Sequence, residues 1–155
     1  MNYQESLDYL QSLVPTLERP GLERMREYFE SENNPQNKLP VVHVGGTNGK
    51  GSVTTFIASA LCALGFKTGK FTGPHLHRFN ERFVIDSQII SDEQFADVAT
   101  TLLQQPLAKT LTWFEFLTAM AVQYFNQEKL TASVFEVGLG AVSYTHLTLP
   151  TKRIV

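Results

Sequence analysis

The sequence feature that most constrains the fold is a glycine-rich segment that lies between a strand and a helix. Residues 45–52 have the sequence GGTNGKGS. They follow a short run rich in β-branched residues, 39–44, which is typical of a buried strand. They precede a stretch whose apolar residues recur at intervals of three and four, which indicates a helix. A strand, a glycine turn and a helix in this order predict one unit of an α/β fold.

Such a turn is suited to holding a phosphate group. Glycines let backbone N–H groups point at an anion, the helix N-terminus adds partial positive charge, and Lys50 supplies a full charge. The spacing departs from the standard P-loop, because its first glycine would fall at Val44 and the hydroxyl comes one position late, at Ser52. We predict that Lys50 contacts the outer phosphates of a nucleotide. The alternative is a structural glycine turn with an exposed lysine.

Helices alternate with strands along the rest of the chain. Apolar periodicity predicts two amphipathic helices before the glycine segment, and the pairs Ser91/Gln94 and Thr112/Glu115 predict capping boxes that open two later helices. The helix after the glycines is predicted to turn one apolar face inward. That face consists of Val53, Phe56, Ile57, Ala60, Leu61 and Leu64.

Three further strand signals complete the pattern. Residues 67–72 are predicted to form a second strand, residues 83–90 a hairpin around Ser87, and residues 132–137 a third strand with an unpaired edge. Strands that alternate with helices imply α/β architecture, a P-loop-type parallel sheet with helices on both faces.

Composition restricts the class of partner. The chain has 155 residues, a formal net charge of −2 and 43% hydrophobic residues, so it can build a core. The nearly even charge gives no support for a nucleic-acid or membrane-surface partner. A single cysteine, Cys62, fits a reducing compartment, and no apolar run is long enough to cross a bilayer. We expect a soluble cytoplasmic monomer that acts on small molecules.

Four ordered segments carry a family resemblance. Residues 46–52 resemble the ATP loop of the Mur ligase superfamily. Residues 72–82, 112–118 and 135–140 resemble three segments of one branch of it, the folylpolyglutamate synthase and dihydrofolate synthase family. Two leading helices, in place of a domain that binds a UDP-sugar, also favour the folate branch. The fold that this implies is the N-terminal part of a Mur-ligase-like ATPase domain.

The resemblance implies an ATP-dependent amide ligase. In that family ATP phosphorylates a carboxylate of a folate or dihydropteroate, and the amine of L-glutamate attacks the acyl phosphate. Mg²⁺ bridges the phosphate oxygens. The residues that the resemblance assigns to ATP, with Lys50 as the catalytic one, are Thr47, Asn48, Gly49, Lys50, Gly51 and Ser52.

A metal site is predicted at Glu136. This carboxylate stands at the end of an apolar strand, where it needs a cation or hydrogen-bond donors, and the resemblance assigns it to Mg²⁺. Gly73 departs from the family pattern, in which a serine at this place is a Mg²⁺ ligand. Three alternatives stay open: water replaces the serine oxygen, Ser52 or Thr72 takes part, or the metal site is weaker.

A polar loop beside the predicted crevice supplies the substrate candidates. Loops of this kind often carry function, and arginine suits a carboxylate or a phosphate. The alternative is a solvated surface loop. The candidates are His75, Arg78, Asn80, Glu81 and Arg82.

Several other residues have structural interpretations. Glu115 fits a capping box better than a catalytic role, because an acid in the first turn of a helix also suits the helix dipole. His43 is interpreted as a core histidine and Cys62 as packing on the buried face of its helix. The aromatic residues between Trp113 and Phe125 are interpreted as core.

The last residues do not follow the family pattern. Residues 142–151 can be back-translated into a sequence that resembles the transposon end and adapter used in sequencing libraries. We expect a partial ATP-binding domain with two leading helices over residues 1–141, a non-native tail over residues 142–155, no C-terminal glutamate-binding domain, and no activity of this chain alone. The alternatives are a cell-wall Mur-type ligase and a non-catalytic P-loop nucleotide-binding module.

Overall fold

The computed structural model describes residues 1–13 and 22–136. The predicted strand end at Val137, the segment 138–141 and the suspected tail lie outside the described residues. The helices are α1 (Tyr3–Ser12), α2 (Glu23–Ser31), α3 (Lys50–Ala63), α4 (Asp92–Leu103) and α5 (Trp113–Gln127). The strands are β1 (Val41–Val44), β2 (Thr68–Phe71), β3 (Phe83–Ile85), β4 (Gln88–Ile89) and β5 (Ala132–Glu136), and three short 3₁₀ turns connect elements at Pro35–Lys38, Phe79–Arg82 and Pro106–Thr110.

The strands form one five-stranded sheet in the order β1-β5-β2-β3-β4. The pairs β1–β5 and β5–β2 are parallel, whereas β3 and β4 are added to β2 as an antiparallel hairpin. The predicted parallel sheet is therefore confirmed for its three central strands. The prediction of an unpaired edge on the third strand is wrong, because β5 lies between β1 and β2, and β1 forms the edge instead.

Helices cover both faces of this sheet, as predicted. On one face, Phe71 and Phe135 pack against aromatic residues of α5, and Phe83 packs against Phe95 of α4. Helices α1 and α2 close the same core. On the other face, Val44 and Val134 pack against Ala58 of α3. Neighbouring residues of β5 point to opposite faces, so Val134 and Phe135 contribute to the two cores separately.

The face that helix α3 turns inward matches the predicted one only in part. Its buried residues are Thr54 and Ala58, and Ile57 and Leu61 of the predicted face pack against the same core while partly buried. Phe56 and Leu64 of the predicted face are instead 74% and 73% exposed. The helix carries apolar side chains on more than one face, so periodicity alone did not determine which of them packs on the sheet.

The other elements agree with the predictions. Ser91 and Gln94 form the expected capping box at α4, Asp86 and Ser87 form the turn of the hairpin with positive φ, and ten of the fifteen residues of α5 are buried. In the parts of the chain that the structure describes, no helix combines the length and the hydropathy that a membrane span requires.

Candidate nucleotide-binding site

Three parallel strands end at the same edge of the sheet. The register pairs Val44 of β1 with Glu136 of β5, and Phe71 of β2 with Phe135 of β5. The loops that follow β1 and β2 therefore meet around the Glu136 carboxylate. Crevices outside the carboxyl ends of parallel strands are where open α/β sheets bind ligands.

The loop after β1 presents backbone donors at this edge. Gly49 precedes α3 with a φ of 75°, and Gly46 has a φ of 146°, both in the region that favours glycine. No side chain caps α3. Among the described residues, none accepts a hydrogen bond from the backbone N–H groups of Thr47, Asn48 or Gly49. The loop is exposed from residue 45 to residue 49, so these donors are available to an anion.

The ammonium group of Lys50 lies over the same loop. Its Nζ donates a hydrogen bond to the carbonyl oxygen of Gly46 at 2.9 Å. The side chain thus folds back across the glycine turn rather than extending into solvent. This placement brings a positive charge to the loop residues Thr47, Asn48 and Gly49.

Glu136 lies where the strand ends converge. It is 8% exposed, and its Oε2 accepts a hydrogen bond from the Gly73 N–H at 3.3 Å. The same oxygen would lie 3.6 Å from a Cβ placed on Gly51, at the first turn of α3. The structure therefore brings Glu136, the start of α3 and the end of β2 together.

These residues fit a Mg²⁺ ion only in part. Mg²⁺ commonly takes one or two protein carboxylates and completes its octahedron with water and phosphate oxygens. Glu136 offers one such carboxylate, and Ser52 stands exposed in the first turn of α3. Gly73 offers no side-chain oxygen, and among the described residues no group of three or more His, Cys, Asp and Glu side chains is placed to hold a metal.

Arg82 occupies the space beside Gly73. A Cβ placed on Gly73 would lie 2.4 Å from Nη1 of Arg82. Arg82 is 4% exposed, its Nε donates to Nδ1 of His75 at 3.0 Å, and its guanidinium lies over the ring of Trp113 at 5.0 Å. Burial and the Arg82 charge lower the pKa of His75 below its ordinary value of 6.5, which suits an imidazole nitrogen that accepts a hydrogen bond.

Glu81 organises the polar loop after β2. Its carboxylate accepts hydrogen bonds from the backbone N–H groups of Leu76, His77 and Arg78 at 2.8, 3.0 and 2.9 Å. These bonds lower the pKa of Glu81 below its ordinary value of 4.5. Glu81 is therefore a structural acceptor that fixes the backbone of the loop.

The remaining candidate residues of this loop contact α1 and the start of α4 rather than Gly73. Asn80 is 2% exposed, and its Nδ2 donates to the Ile90 carbonyl and to Asp92 Oδ1, each at 3.0 Å. The guanidinium of Arg78 pairs with Asp92 and lies over the ring of Tyr3 at 5.3 Å. Asn80 and Arg78 thus tie the loop to α1 and α4, whereas His75 and Arg82 lie on the side of Gly73.

Two contacts near this region were not predicted from the sequence. Trp113 was predicted to be core only, yet it supports Arg82 and contacts Phe79 edge-on at 6.1 Å. Arg24 forms a long-range ion pair with Glu115. Neither contact has a sequence signal, since the partners are far apart in the chain. Glu115 does accept from the Thr112 N–H at 2.8 Å, which confirms its capping role.

The chain resembles known proteins over most of its length. It is 40% identical to a folylpolyglutamate synthase of Lacticaseibacillus casei over 90% of this chain and 34% of that protein. It is 35% identical to a dihydrofolate synthase/folylpolyglutamate synthase of Bacillus subtilis (strain 168) over 89% of this chain and 34% of that protein. No family model matches. The chain thus spans about a third of the length of the curated relatives that it matches.

Solved structures agree with the sequence comparison. A complex of FPGS with AMPPCP and folate superposes with a TM-score of 0.80 at 37% identity, over 92% of this chain and 37% of that one. The folylpolyglutamate synthase of Thermotoga maritima gives a TM-score of 0.79 at 34% identity, over 89% of this chain and 33% of that one. The chain therefore belongs to the folylpolyglutamate synthase and dihydrofolate synthase family, and it corresponds to about a third of the length of the members that it matches.

Proposed function

We propose that this chain carries the ATP-binding part of a ligase that adds L-glutamate to the carboxylate of a folate or dihydropteroate through an acyl phosphate. The observation that supports this most directly is the loop after β1. This loop follows Val44, the register partner of the buried Glu136, and it carries the Lys50 ammonium and leads into the uncapped start of α3. Its N–H groups at Thr47, Asn48 and Gly49 have no acceptor within the part of the chain that the structure describes. The domain boundaries expected from the sequence, residues 1–141 and the tail 142–155, belong to this proposal as well.

The residues at the strand ends have separate tasks in this proposal. Thr47, Asn48, Gly49, Gly51 and Ser52 surround the phosphates, and Lys50 releases Gly46 to pair with the outer phosphate oxygens. Glu136 would hold Mg²⁺, which would supply charge neutralisation at the phosphoryl group. The loop of His75, Arg78, Asn80, Glu81 and Arg82 is the candidate wall for the acid substrate, with His75 and Arg82 on the side of Gly73. The similar FPGS structure with AMPPCP and folate supports both ligand classes.

Nucleotide binding can be tested on the 155-residue chain. The AMPPCP affinity of the unaltered chain is measured by calorimetry with and without Mg²⁺, together with Lys50→Ala and the control Lys109→Ala, which removes an exposed lysine of a 3₁₀ turn. We expect Lys50→Ala to weaken binding at least tenfold, because a charge-assisted contact to phosphate contributes about 1.5–3 kcal/mol. Equal affinities of Lys50→Ala and Lys109→Ala would reject the site.

The role of Glu136 is tested in the same assay. Glu136→Gln keeps the volume of the side chain and removes its charge. We expect it to abolish most of the gain in affinity that Mg²⁺ gives, while binding without Mg²⁺ is retained. A normal Mg²⁺ effect in Glu136→Gln would exclude this carboxylate as the metal ligand.

Ligation assays that identify the substrate class require a protein with the full length of the relatives. Ligation of labelled L-glutamate to dihydropteroate or to tetrahydrofolate in the presence of ATP would support the folate activity. Ligation to a UDP-muramyl substrate would assign the chain to the cell-wall branch. ATP binding without any ligation would favour the non-catalytic nucleotide-binding module.

A further inference from the structure

Asn80 lies in the 3₁₀ turn Phe79–Arg82, which leads into β3. In a 3₁₀ turn, residues three apart point to the same side, and neighbouring residues point to different sides. The turn therefore has three sides. Phe79 and Arg82 share the first side, Glu81 occupies the second, and Asn80 occupies the third.

The first side of the turn faces Trp113. The guanidinium of Arg82 lies over the ring of Trp113 at 5.0 Å, and the ring of Phe79 contacts it edge-on at 6.1 Å. Both residues also contact His75, whose ring lies 4.3 Å from that of Phe79 and whose Nδ1 accepts from Nε of Arg82 at 3.0 Å. This side of the turn thus holds together the part of the candidate substrate wall that lies towards Gly73.

Asn80 anchors the turn on its third side. The residue is 2% exposed, and its Nδ2 donates to the Ile90 carbonyl and to Asp92 Oδ1, each at 3.0 Å. Its Oδ1 accepts from the hydroxyl of Tyr3 in α1. Ile90 also donates its N–H to the Phe83 carbonyl at 3.0 Å, so the Asn80 amide continues the hairpin ladder beyond its last backbone bond. One buried side chain therefore ties the turn to α1, to the hairpin and to the start of α4.

These contacts fix the rotation of the turn about its own axis. The turn has only four residues, and 3₁₀ hydrogen bonds have poorer geometry than those of an α-helix, so side chains largely determine its orientation. Glu81 binds the preceding loop, whereas Asn80 binds three other elements. A buried amide that moved would lose its hydrogen bonds, which is costly. A rotation that freed Asn80 would also carry Arg82 and Phe79 away from Trp113.

We propose that Asn80 is a positioning residue, which places Arg82 and Phe79 at Trp113 by fixing the rotation of the turn, and that Tyr3 acts through it. The first helix thereby belongs to the substrate side of the site. Helix α1 packs with α4 and α5 on the sheet face away from α3, so its contact with the turn is separate from the glycine loop. The role in substrate binding rests on the proposed function, whereas the positioning of Arg82 does not.

The positioning can be measured on the 155-residue chain without any ligand. Hydrogen exchange of the Arg82 Nε–H, followed by NMR, reports on its bond to His75. Tyr3→Phe removes only the hydroxyl that donates to Asn80, while the ring can keep its edge-on contact with Phe95. We expect the Nε–H to exchange about threefold to tenfold faster in Tyr3→Phe, because one hydrogen bond of the anchor is lost.

Tyr9→Phe is the matched control for this measurement. It removes a hydroxyl from the same helix, but the ring of Tyr9 lies against Phe116 of α5 instead of the turn. Exchange of the Arg82 Nε–H should be the same in Tyr9→Phe as in the unaltered chain. Equal exchange rates in Tyr3→Phe and Tyr9→Phe would overturn the proposal.

A double variant tests whether Tyr3 acts through Asn80. Asn80→Ala removes all three anchoring hydrogen bonds, so it should accelerate the exchange more than Tyr3→Phe does. In the Asn80→Ala background, Tyr3→Phe should have no further effect, and a full effect there would overturn the coupling. Thermal melts verify that each variant is folded, and the comparison of Tyr3→Phe with Tyr9→Phe decides alone if Asn80→Ala is not.

The role in substrate binding is tested in a protein with the full length of the relatives. KM for the acid substrate, tetrahydrofolate or dihydropteroate, and KM for ATP are measured for Tyr3→Phe and Tyr9→Phe. We expect Tyr3→Phe to raise KM for the acid by at least about threefold and to leave KM for ATP unchanged. An equal rise of both KM values, or no rise, would overturn this role. Absence of ligation by the unaltered protein would instead reject the proposed function and leave the exchange result standing.

Discussion

Arg24 of α2 and Glu115 of α5 lie 91 residues apart in the chain and form a two-point ion pair. Nε of Arg24 lies 3.2 Å from Oε2 of Glu115, and Nη2 lies 3.1 Å from Oε1. The carboxylate is 4% exposed and also accepts from the N–H and the hydroxyl of Thr112, each at 2.8 Å. One side chain thus caps α5 and fastens α2 to it.

We expect Glu115→Ala to lower the free energy of unfolding by about 2–4 kcal/mol, because it removes a nearly buried carboxylate that accepts from both Arg24 and the start of α5. Urea denaturation measures this loss. The control is Glu128→Ala, which removes a half-exposed pair with Lys67 and should cost less than about 1 kcal/mol. Equal losses in the two variants would contradict the importance of the Arg24 contact.

Gly69 lies at the centre of β2, where a Cβ would come within 2.3 Å of Cδ1 of Leu130 and 3.0 Å of Cζ of Phe125. We expect Gly69→Ala to destabilise the fold by about 1–3 kcal/mol through overpacking. Denaturation curves of Gly69→Ala, Leu130→Ala and the double variant test the cause. The double variant should lose clearly less than the sum of the two single losses, and strict additivity would point to another cause.

Glu81 should couple the order of its loop to pH. The pKa of Glu81 is lowered in the folded protein, so the ionised carboxylate stabilises the loop fully at pH values above the ordinary pKa of 4.5. This stabilisation is lost as the pH falls through the lower pKa of the folded protein. We expect a carbon-13 titration of the Glu81 carboxyl to have a midpoint below 4.5. The amides of Leu76, His77 and Arg78 should lose protection at the same pH.

A variant separates this local effect from general acid unfolding. Glu81→Gln should expose the three amides to hydrogen exchange already at neutral pH, while the amides of α5 retain their protection. If exchange in the loop of Glu81→Gln matched that of the unaltered chain, the loop would owe its order to other contacts.

Phe56 projects from α3 with 74% of its surface exposed. We expect Phe56→Ser to change the free energy of unfolding by less than about 0.5 kcal/mol, since no packing is lost. Phe116→Ala, at a fully buried position of α5, should cost about 3–5 kcal/mol.

Sedimentation of Phe56→Ser at increasing concentration should show less self-association than the unaltered chain, because Val53, Phe56 and Leu64 form an exposed apolar stripe. Identical sedimentation would show that the stripe is inert.

Local signals predicted much of the fold. The capping pairs Ser91/Gln94 and Thr112/Glu115 placed the starts of α4 and α5, and the turn at Ser87 placed the hairpin, because each of these features depends on residues close together in the chain. The order of the strands depends on contacts between distant residues. Alternation of elements could not show that β5 lies between β1 and β2, nor which apolar face of α3 packs on the sheet.

The candidate site also combines features that the sequence predicted with features that depend on contacts between distant residues. The glycine loop, Lys50 and Glu136 were recognisable from residue types at the ends of strands, and the structure brings them to one edge. The polar loop was predicted only as a set of candidates, and the structure separates Glu81 and Asn80, which hold the backbone, from Arg82, which faces Gly73. The contact between Gly73 and Arg82 has no sequence signal, since it depends on how the end of β2 and the start of β3 lie beside each other.

The central place of β5 has a consequence for the order of events during synthesis. The strand that leads into the glycine loop, β1, has its parallel partner in β5. Each β1 residue pairs with one made 92 residues later, as Val44 does with Glu136 and Val41 with Ser133. A nascent chain can form α1, α2 and α3 early, but it cannot anchor the loop until residue 136 has left the ribosome. Contacts of such long sequence separation form slowly, so the phosphate cradle should be among the last parts of this chain to take shape.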